Sequence, residues 1–238
     1  MKTPSRLPLV LVLAAALASS ASAAFESIRF DPDNRSPQFP PALQLEGVTR
    51  GKVAVAISVG VDGRLADWLV LGYTHEAFAR SCVAALQDWR FTPAQLDGAP
   101  VPATTELTFD FTLEGAVISA NLVNHFLFDN FDSLGDGRFA YRLHRPDELD
   151  RAPARVGGSA PRYALAAAKD GVRGRVEVHF YIDEKGAVRM PAVRPGVPDY
   201  LADSALAALR DWRFEPALVG RRPVLVAASQ VFDFSGMK

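Results

Sequence analysis

Gly51 to Phe111 lies on Gly174 to Phe234 without a gap, a shift of 123 positions. About a third of the aligned residues are identical, more than chance gives over an ungapped stretch of this length. The densest match is Ala84-Ala85-Leu86-Gln87-Asp88-Trp89-Arg90-Phe91-Thr92-Pro93-Ala94 against Ala207-Ala208-Leu209-Arg210-Asp211-Trp212-Arg213-Phe214-Glu215-Pro216-Ala217. Both copies end in Phe-Asp-Phe, at Phe109 to Phe111 and Phe232 to Phe234. A chain built this way must fold the same small unit twice.

Each copy reads as strand, strand, helix, strand. Val53, Val55, Ile57 and Val59 alternate at period two, as do Val176, Val178, Phe180 and Ile182. Such alternation puts one face on a core and leaves the other wet. Asp62-Gly63 and Lys185-Gly186 supply hairpin turns, and the second strands run from Leu65 to Leu71 and from Val188 to Val193. Phe78, Cys82, Leu86 and Trp89 then fall on one helical stripe, matched by Leu201, Ala205, Leu209 and Trp212. Thr74 and Asp199 suit the N-cap positions, and Pro93 and Pro216 close the helices. The last strands run from Val101 to Phe111 and from Val224 to Phe234. The expected fold is α+β: two copies of a three-stranded antiparallel sheet with a helix on one face, leaving two edges and an open face per copy. The expected core is Phe78, Leu86, Trp89 and Phe91 in the first copy, and Leu201, Leu209, Trp212 and Phe214 in the second. Arg90 and Arg213 are expected to point to solvent.

The flanks divide the rest. Lys2 and Arg6, an apolar run over Leu7 to Ala18, and Ala21-Ser22-Ala23 form a secretory signal peptide over residues 1–23. Its apolar run of about 12 residues falls short of the ~20 that span a bilayer. The mature chain is expected to start near Ala24, in the periplasm, with formal charge moving from −1 to −3 as Lys2 and Arg6 leave. The alternative is an uncleaved signal that anchors the chain in the inner membrane. Residues 24–38 lead into copy one (39–111). Residues 112–160 connect it to copy two (161–238). Within the connector, Ile118 to Phe131 suits a helix or an extra strand, Phe139 to Leu143 a strand, and Pro146 to Ser159 a linker.

Little here suggests chemistry. The mildly acidic balance leaves no footprint for nucleic acid. Cys82 is the only cysteine and sits on the helix stripe, so no internal disulfide forms and a structural thiol is expected. His75, His125, His144 and His179 are scattered; His179 is expected at the surface by strand parity. Asp129, Asp132 and Asp136 do not fit a calcium loop. No phosphate loop or nucleophile elbow is found. The expectation is a non-enzyme with no metal and no cofactor.

Each copy resembles the C-terminal domain of TonB, the periplasmic end of an energy transducer. The residues that carry this are Phe39-Pro40-Pro41-Ala42 and Tyr163-Ala164, Gly51-Lys52-Val53-Ala54-Val55 and Gly174-Arg175-Val176-Glu177-Val178, the turn Asp183-Glu184-Lys185-Gly186, and the two Trp-Arg-Phe-x-Pro-Ala segments. Copy one has Gly60 where the turn motif has its first Asp, and copy two lacks Pro after Tyr163. The family's transmembrane helix and Pro-rich spacer have no counterpart in the sequence. The resemblance implies binding of cell-envelope proteins, outer-membrane TonB-dependent receptors among them, by strand addition, within TonB-dependent transport. The edges expected to accept such a strand are Val101, Thr105, Leu107, Phe109 and Phe111 in copy one, and Val224, Val226, Ala228, Phe232 and Phe234 in copy two. The alternatives are a membrane-retained transducer subunit and a structural module that dimerises through its sheets.

Overall fold

The computed structural model describes residues 24–121, 139–162, 173–194 and 196–235. The signal peptide, His125, the three connector aspartates and Tyr163-Ala164 lie outside the described residues.

Copy one holds β1 (Arg50–Val59), β2 (Leu65–Tyr73), α1 (Glu76–Leu86), β3 (Ala103–Thr112) and β4 (Gly115–Asn121). From the connector comes β5 (Tyr141–Arg142). Copy two holds β6 (Arg175–Ile182), β7 (Val188–Val193), α2 (Asp199–Arg210) and β8 (Val226–Asp233). The copy-two sheet has the expected three strands, in the order β7-β6-β8. The copy-one sheet has five, in the order β5-β2-β1-β3-β4, all antiparallel. Both turn glycines are required. Gly63 (φ +70) and Gly186 (φ +78) lie so close to the carbonyls of Phe91 and Phe214 that a Cβ would collide with them.

α1 buries Phe78, Cys82 and Leu86 against Val53, Val55, Ile57, Leu107, Phe109 and Phe111. Burial pushes the Cys82 thiol pKa well up, as a structural role requires. α2 does the same with Leu201, Ala205 and Leu209 against Val176, Val178 and Phe232. Phe214 is only half-buried, stacked on Phe180. Each Trp also anchors the segment entering its copy: Trp89 Nε1 donates to the Arg35 carbonyl (2.9 Å), and Trp212 Nε1 to that of Ser159 (2.7 Å). Nearby on each helix, Ser81 and Ser204 donate to the carbonyls of Gln38 and Arg162. Arg90 and Arg213 are exposed, and each donates a guanidinium N–H to the carbonyl of its preceding Trp.

Four local expectations need correction. The N-caps are His75, whose Nδ1 accepts from Ala77 N–H, and Pro198. Thr74 instead accepts from Lys52 N–H, and Asp199 is the first helical residue. Pro146 to Ser159 is no free linker: Pro146–Glu148 forms a 3-10 turn, and Arg155–Gly157 pairs with Arg213–Phe214 of copy two. The final strands are also shorter than expected. Val101 belongs to a separate hairpin with Ala94, and Val224 precedes β8.

The largest correction concerns the open faces. Ala54, Ala56, Leu69 and Leu71 of copy one form a third core with Tyr181, Met190, Leu225 and Ala227 of copy two, and with Leu143 between them. Across the molecule the order is helix, sheet, sheet, helix. Among the described residues, three side chains make polar contacts across this junction. Tyr181 Oη donates to Glu106 (2.9 Å), Tyr141 Oη to Glu184 (2.6 Å), and Arg189 to Asp67 (3.3 Å) and the Trp68 carbonyl (3.1 Å). His179 is buried too, contrary to the surface position expected, and desolvation lowers its pKa.

Candidate functional site: the β8 edge

An extended peptide can add only where a strand still offers backbone groups, so the strand edges decide where one could bind. β3 is not an edge. It pairs with β1 on one side and, from Glu106 to Thr112, with β4 on the other. The two-residue turn Leu113-Glu114 brings β4 back alongside it. Thr105, Leu107, Phe109 and Phe111 therefore lie in an interior strand, the last three with side chains in the core. This corrects the edge expected in copy one. Among the described residues, the edges of its five-stranded sheet are β5, only two residues long, and the outer side of β4.

In copy two the edges are β7 and β8. β7 is blunted by Pro191, which has no N–H, by Met190 at φ +48, and by a register shift beside Tyr181. β8 runs in unbroken register against β6 from Val226 to Asp233.

The backbone parity of β8 can be read from its neighbours. His144 N–H donates to the Leu225 carbonyl (2.8 Å), and Ala227 N–H approaches the His144 carbonyl (3.5 Å). Phe234 N–H instead donates inward, to Gly174 (2.8 Å). Odd-numbered residues therefore direct their backbone groups outward. Ser229, Val231 and Asp233 present three N–H and three C=O groups with no ladder partner on that side among the described residues. All three residues are exposed, Val231 at 50%. Arg175 pairs with Asp233 (3.0 Å) across the β6 side. Val226, Ala228 and Phe232 have the even parity, so their side chains line the core and their amides face β6. Phe234 is likewise buried in that core. The residues that offer the edge are their odd neighbours, which hydropathy alone does not single out.

The connector closes the start of this edge. His144 bridges β8 at Val226, and Arg142, two residues earlier, extends the copy-one sheet. Glu148 holds the segment together: Arg142 binds it through two N–H groups at 2.8 Å, and Arg145 N–H donates to it at 3.0 Å. His144 Nδ1 lies 3.2 Å away. The Arg142 bond, chiefly, lowers the Glu148 pKa to about 2. A depressed carboxyl stabilises the fold above its ordinary value of 4.5, and that contribution is lost as pH falls toward about 2. The exchange protection factor of His144 N–H, taken against the intrinsic rate at each pH, should therefore fall across that window, and in Glu148→Gln it should already be low at neutral pH.

A profile described as the Gram-negative bacterial TonB protein C-terminal matches residues 35–113 and 159–235. The chain belongs to the TonB C-terminal family. Its two TonB C-terminal domains are the two repeats, each match opening near the carbonyl that receives the Trp N–H. Among solved structures, the Pseudomonas aeruginosa TonB CTD determined by solution NMR is 29% identical over 40% of this chain and 96% of that one, with a TM-score of 0.33. No curated protein matches the chain. Among the described residues, no helix of these TonB domains is long and apolar enough to cross a membrane. Among the same residues, no cluster of three or more His, Cys, Asp or Glu is placed to hold a metal.

Proposed function

We propose that this TonB-family protein is a non-enzymatic periplasmic adaptor. It captures extended segments of cell-envelope proteins, outer-membrane TonB-dependent receptors among them, by adding a strand to β8. The observation that supports this reading is the contrast between the copies. The strand equivalent to β8 in copy one, β3, carries an added strand on the same side, while Ser229, Val231 and Asp233 have no strand beside them among the described residues. Six backbone bonds at about 0.5–1.5 kcal/mol each, set against the cost of ordering a peptide, give micromolar to millimolar affinity. Such binding suits a transient adaptor.

Val231→Pro tests this. Proline removes one outward N–H and leaves the β6 ladder its donors. The variant should keep the wild-type circular dichroism spectrum and lose capture of outer-membrane receptors by at least about tenfold. Amides of Ser229, Val231 and Asp233 should gain exchange protection when wild type binds a receptor. Unchanged capture by folded Val231→Pro, or protection elsewhere only, would reject the reading. Thr108→Pro at the matching place in copy one should behave differently and unfold that copy's edge, because its amide faces β4.

A further inference from the structure

The segment entering each copy is strapped across it, and both straps are held at the same hairpin turn. In copy one the hairpin joins Ala94–Leu96 to Ala99–Val101, and Phe25–Glu26 adds a third strand to it. In copy two the matching hairpin, Leu218–Val219 with Arg222–Pro223, meets the connector at Asp150. We infer that the first strap begins at a free amino terminus: cleavage between Ala23 and Ala24 leaves an α-ammonium on Ala24 that pairs with the Asp97 carboxylate. This rests on the periplasmic reading and is independent of what β8 binds.

Ala24 N–H donates to Asp97 Oδ1, and Asp97 N–H donates back to the Ala24 carbonyl, both at 2.9 Å. This reciprocal pair closes the strap where it starts. Phe25 lies opposite Leu96 and Glu26 opposite Gln95. Phe25 and Phe30 pack on the copy-one core and Ile28 is buried in it, so the strap is tied down within a few residues of Ala24. Asp97 and Gly98, at φ +51 and +80, are the two turn residues. Positive φ at both suits a two-residue hairpin, for which Asp-Gly is a favoured pair. The turn therefore sets where the Asp97 carboxylate sits.

The repeat shows what this carboxylate replaces. Shifted by 123 positions, Asp97 and Gly98 become Gly220 and Arg221. The copy-two turn lacks the carboxylate, and the connector supplies one instead. Asp150 accepts from Gly220 N–H (3.0 Å) through one oxygen and from Arg221 N–H (3.1 Å) through the other, and its own N–H donates to the Leu218 carbonyl (2.8 Å). Each copy thus ties its strap to this turn through one carboxylate. In copy two the carboxylate meets two backbone amides in mid-chain. In copy one it meets Ala24, the residue that follows Ala21-Ser22-Ala23. The small-x-small cleavage pattern and the clamp coincide at one bond.

Hydrolysis of the Ala23–Ala24 bond by an export peptidase consumes one water. The Ala23 carbonyl carbon takes the hydroxyl, the Ala24 nitrogen takes the hydrogen, and at neutral pH the acid proton ends on the amine. The nitrogen need not move. A neutral amide donor becomes a cation 2.9 Å from a carboxylate, so the hydrogen bond gains charge on both partners. Asp97 is the only ionisable side chain in Ala94 to Val101. The two between Ala24 and Phe30, Glu26 and Arg29, pair with each other (3.8 Å). Ala24 is exposed, so the gain is that of a surface pair, about threefold in an equilibrium constant.

The full chain, exported from a Gram-negative host by its own signal, should start at Ala24 by intact mass and N-terminal sequencing. With carbon-labelled alanine, the Ala24 Cα resonance should report an amine whose acid dissociation constant is about threefold lower than in Asp97→Asn. Asparagine keeps an acceptor and tolerates positive φ, so the turn stays and only the charge goes. A Gly inserted between Ala23 and Ala24 carries the amine one residue upstream, and that chain should titrate like Asp97→Asn. A mature start at any other residue would overturn the inference. So would equal titration in wild type and Asp97→Asn, or a difference that survives the Gly insertion. An Ala24 start with equal titration removes the clamp and leaves the periplasmic reading standing. A chain that keeps Met1 and stays out of the periplasmic fraction would overturn both.

Discussion

Trp89→Ala and Trp212→Ala are each expected to destabilise the protein by about 3–5 kcal/mol, the range for large aromatic truncations in a core. Both indoles are nearly fully buried. Trp89 packs within 6.1 Å of Phe30, Phe91 and Phe109, and its N–H holds the Arg35 carbonyl. Trp212 packs on Phe214 and Phe232, holds the Ser159 carbonyl, and carries the Arg155 guanidinium 4.3 Å above its ring. Alanine leaves a cavity and also releases the segment that enters the copy. The Trp89 change should be the larger, since Phe109 lies in an interior strand with ladders on both sides. No disulfide holds either copy, and the two share a third core. The lost stability should therefore appear as a shift of one cooperative urea transition. An unchanged melt for either variant would show that the helix stripe carries no core.

Much of this architecture is legible in the sequence because it is local. The hairpin glycines, the period-two strands and the four-four-three helix stripes each report on residues within a few positions of one another. The family motifs mark the same two units. The features that sequence patterning does not reveal are non-local. Val53-Ala54-Val55-Ala56-Ile57 is apolar at both parities, the signature of a strand covered on both faces, yet small alanines read easily as a wet face. The same holds for Leu69 and Leu71 and for Leu225 and Ala227, all of which meet in the shared core. His179 departs from its expected surface position for this reason: its parity is right, but the face it lies on is covered. The first helix cap differs by one residue, because Thr74 and His75 both carry acceptors and only the bond to Lys52 decides which is spent elsewhere.

The binding edge is legible only in part. Ala103 to Thr112 and Val226 to Asp233 read much alike, as alternating strands that lead into the same Phe-Asp-Phe. The two strands differ in what pairs with their outer sides. Leu113-Glu114-Gly115 turns the chain back onto β3. No strand lies on that side of Ser229, Val231 and Asp233 among the described residues. Within the strand, Gln230 stands where copy one has the fully buried Leu107. Reading the edge still needs the backbone parity that His144 and Phe234 reveal.

Ala56→Asp should part the two sheets while sparing both helix-covered cores. Ala56 is fully buried on the far face of β1 from α1, paired with Leu69 on one side and Glu106 on the other. A carboxylate there would be closed into the shared core without a donor. It would also sit beside Glu106, whose own pKa is already raised by burial. An unpaired buried charge costs several kcal/mol, on the order of 3–5 at a site that can relax. The molecule can escape that cost only by opening the junction, because on an isolated copy the same position would face water. Opening forfeits the packing of Leu71, Tyr181, Met190 and Leu225, and the Tyr181–Glu106 and Arg189–Asp67 contacts with it. The single urea transition of wild type should therefore split into two, with a larger radius of gyration in X-ray scattering before the first. The helical signal should persist through that first transition. A variant that keeps one transition at the wild-type midpoint and radius would show that the sheets do not rest on each other in solution.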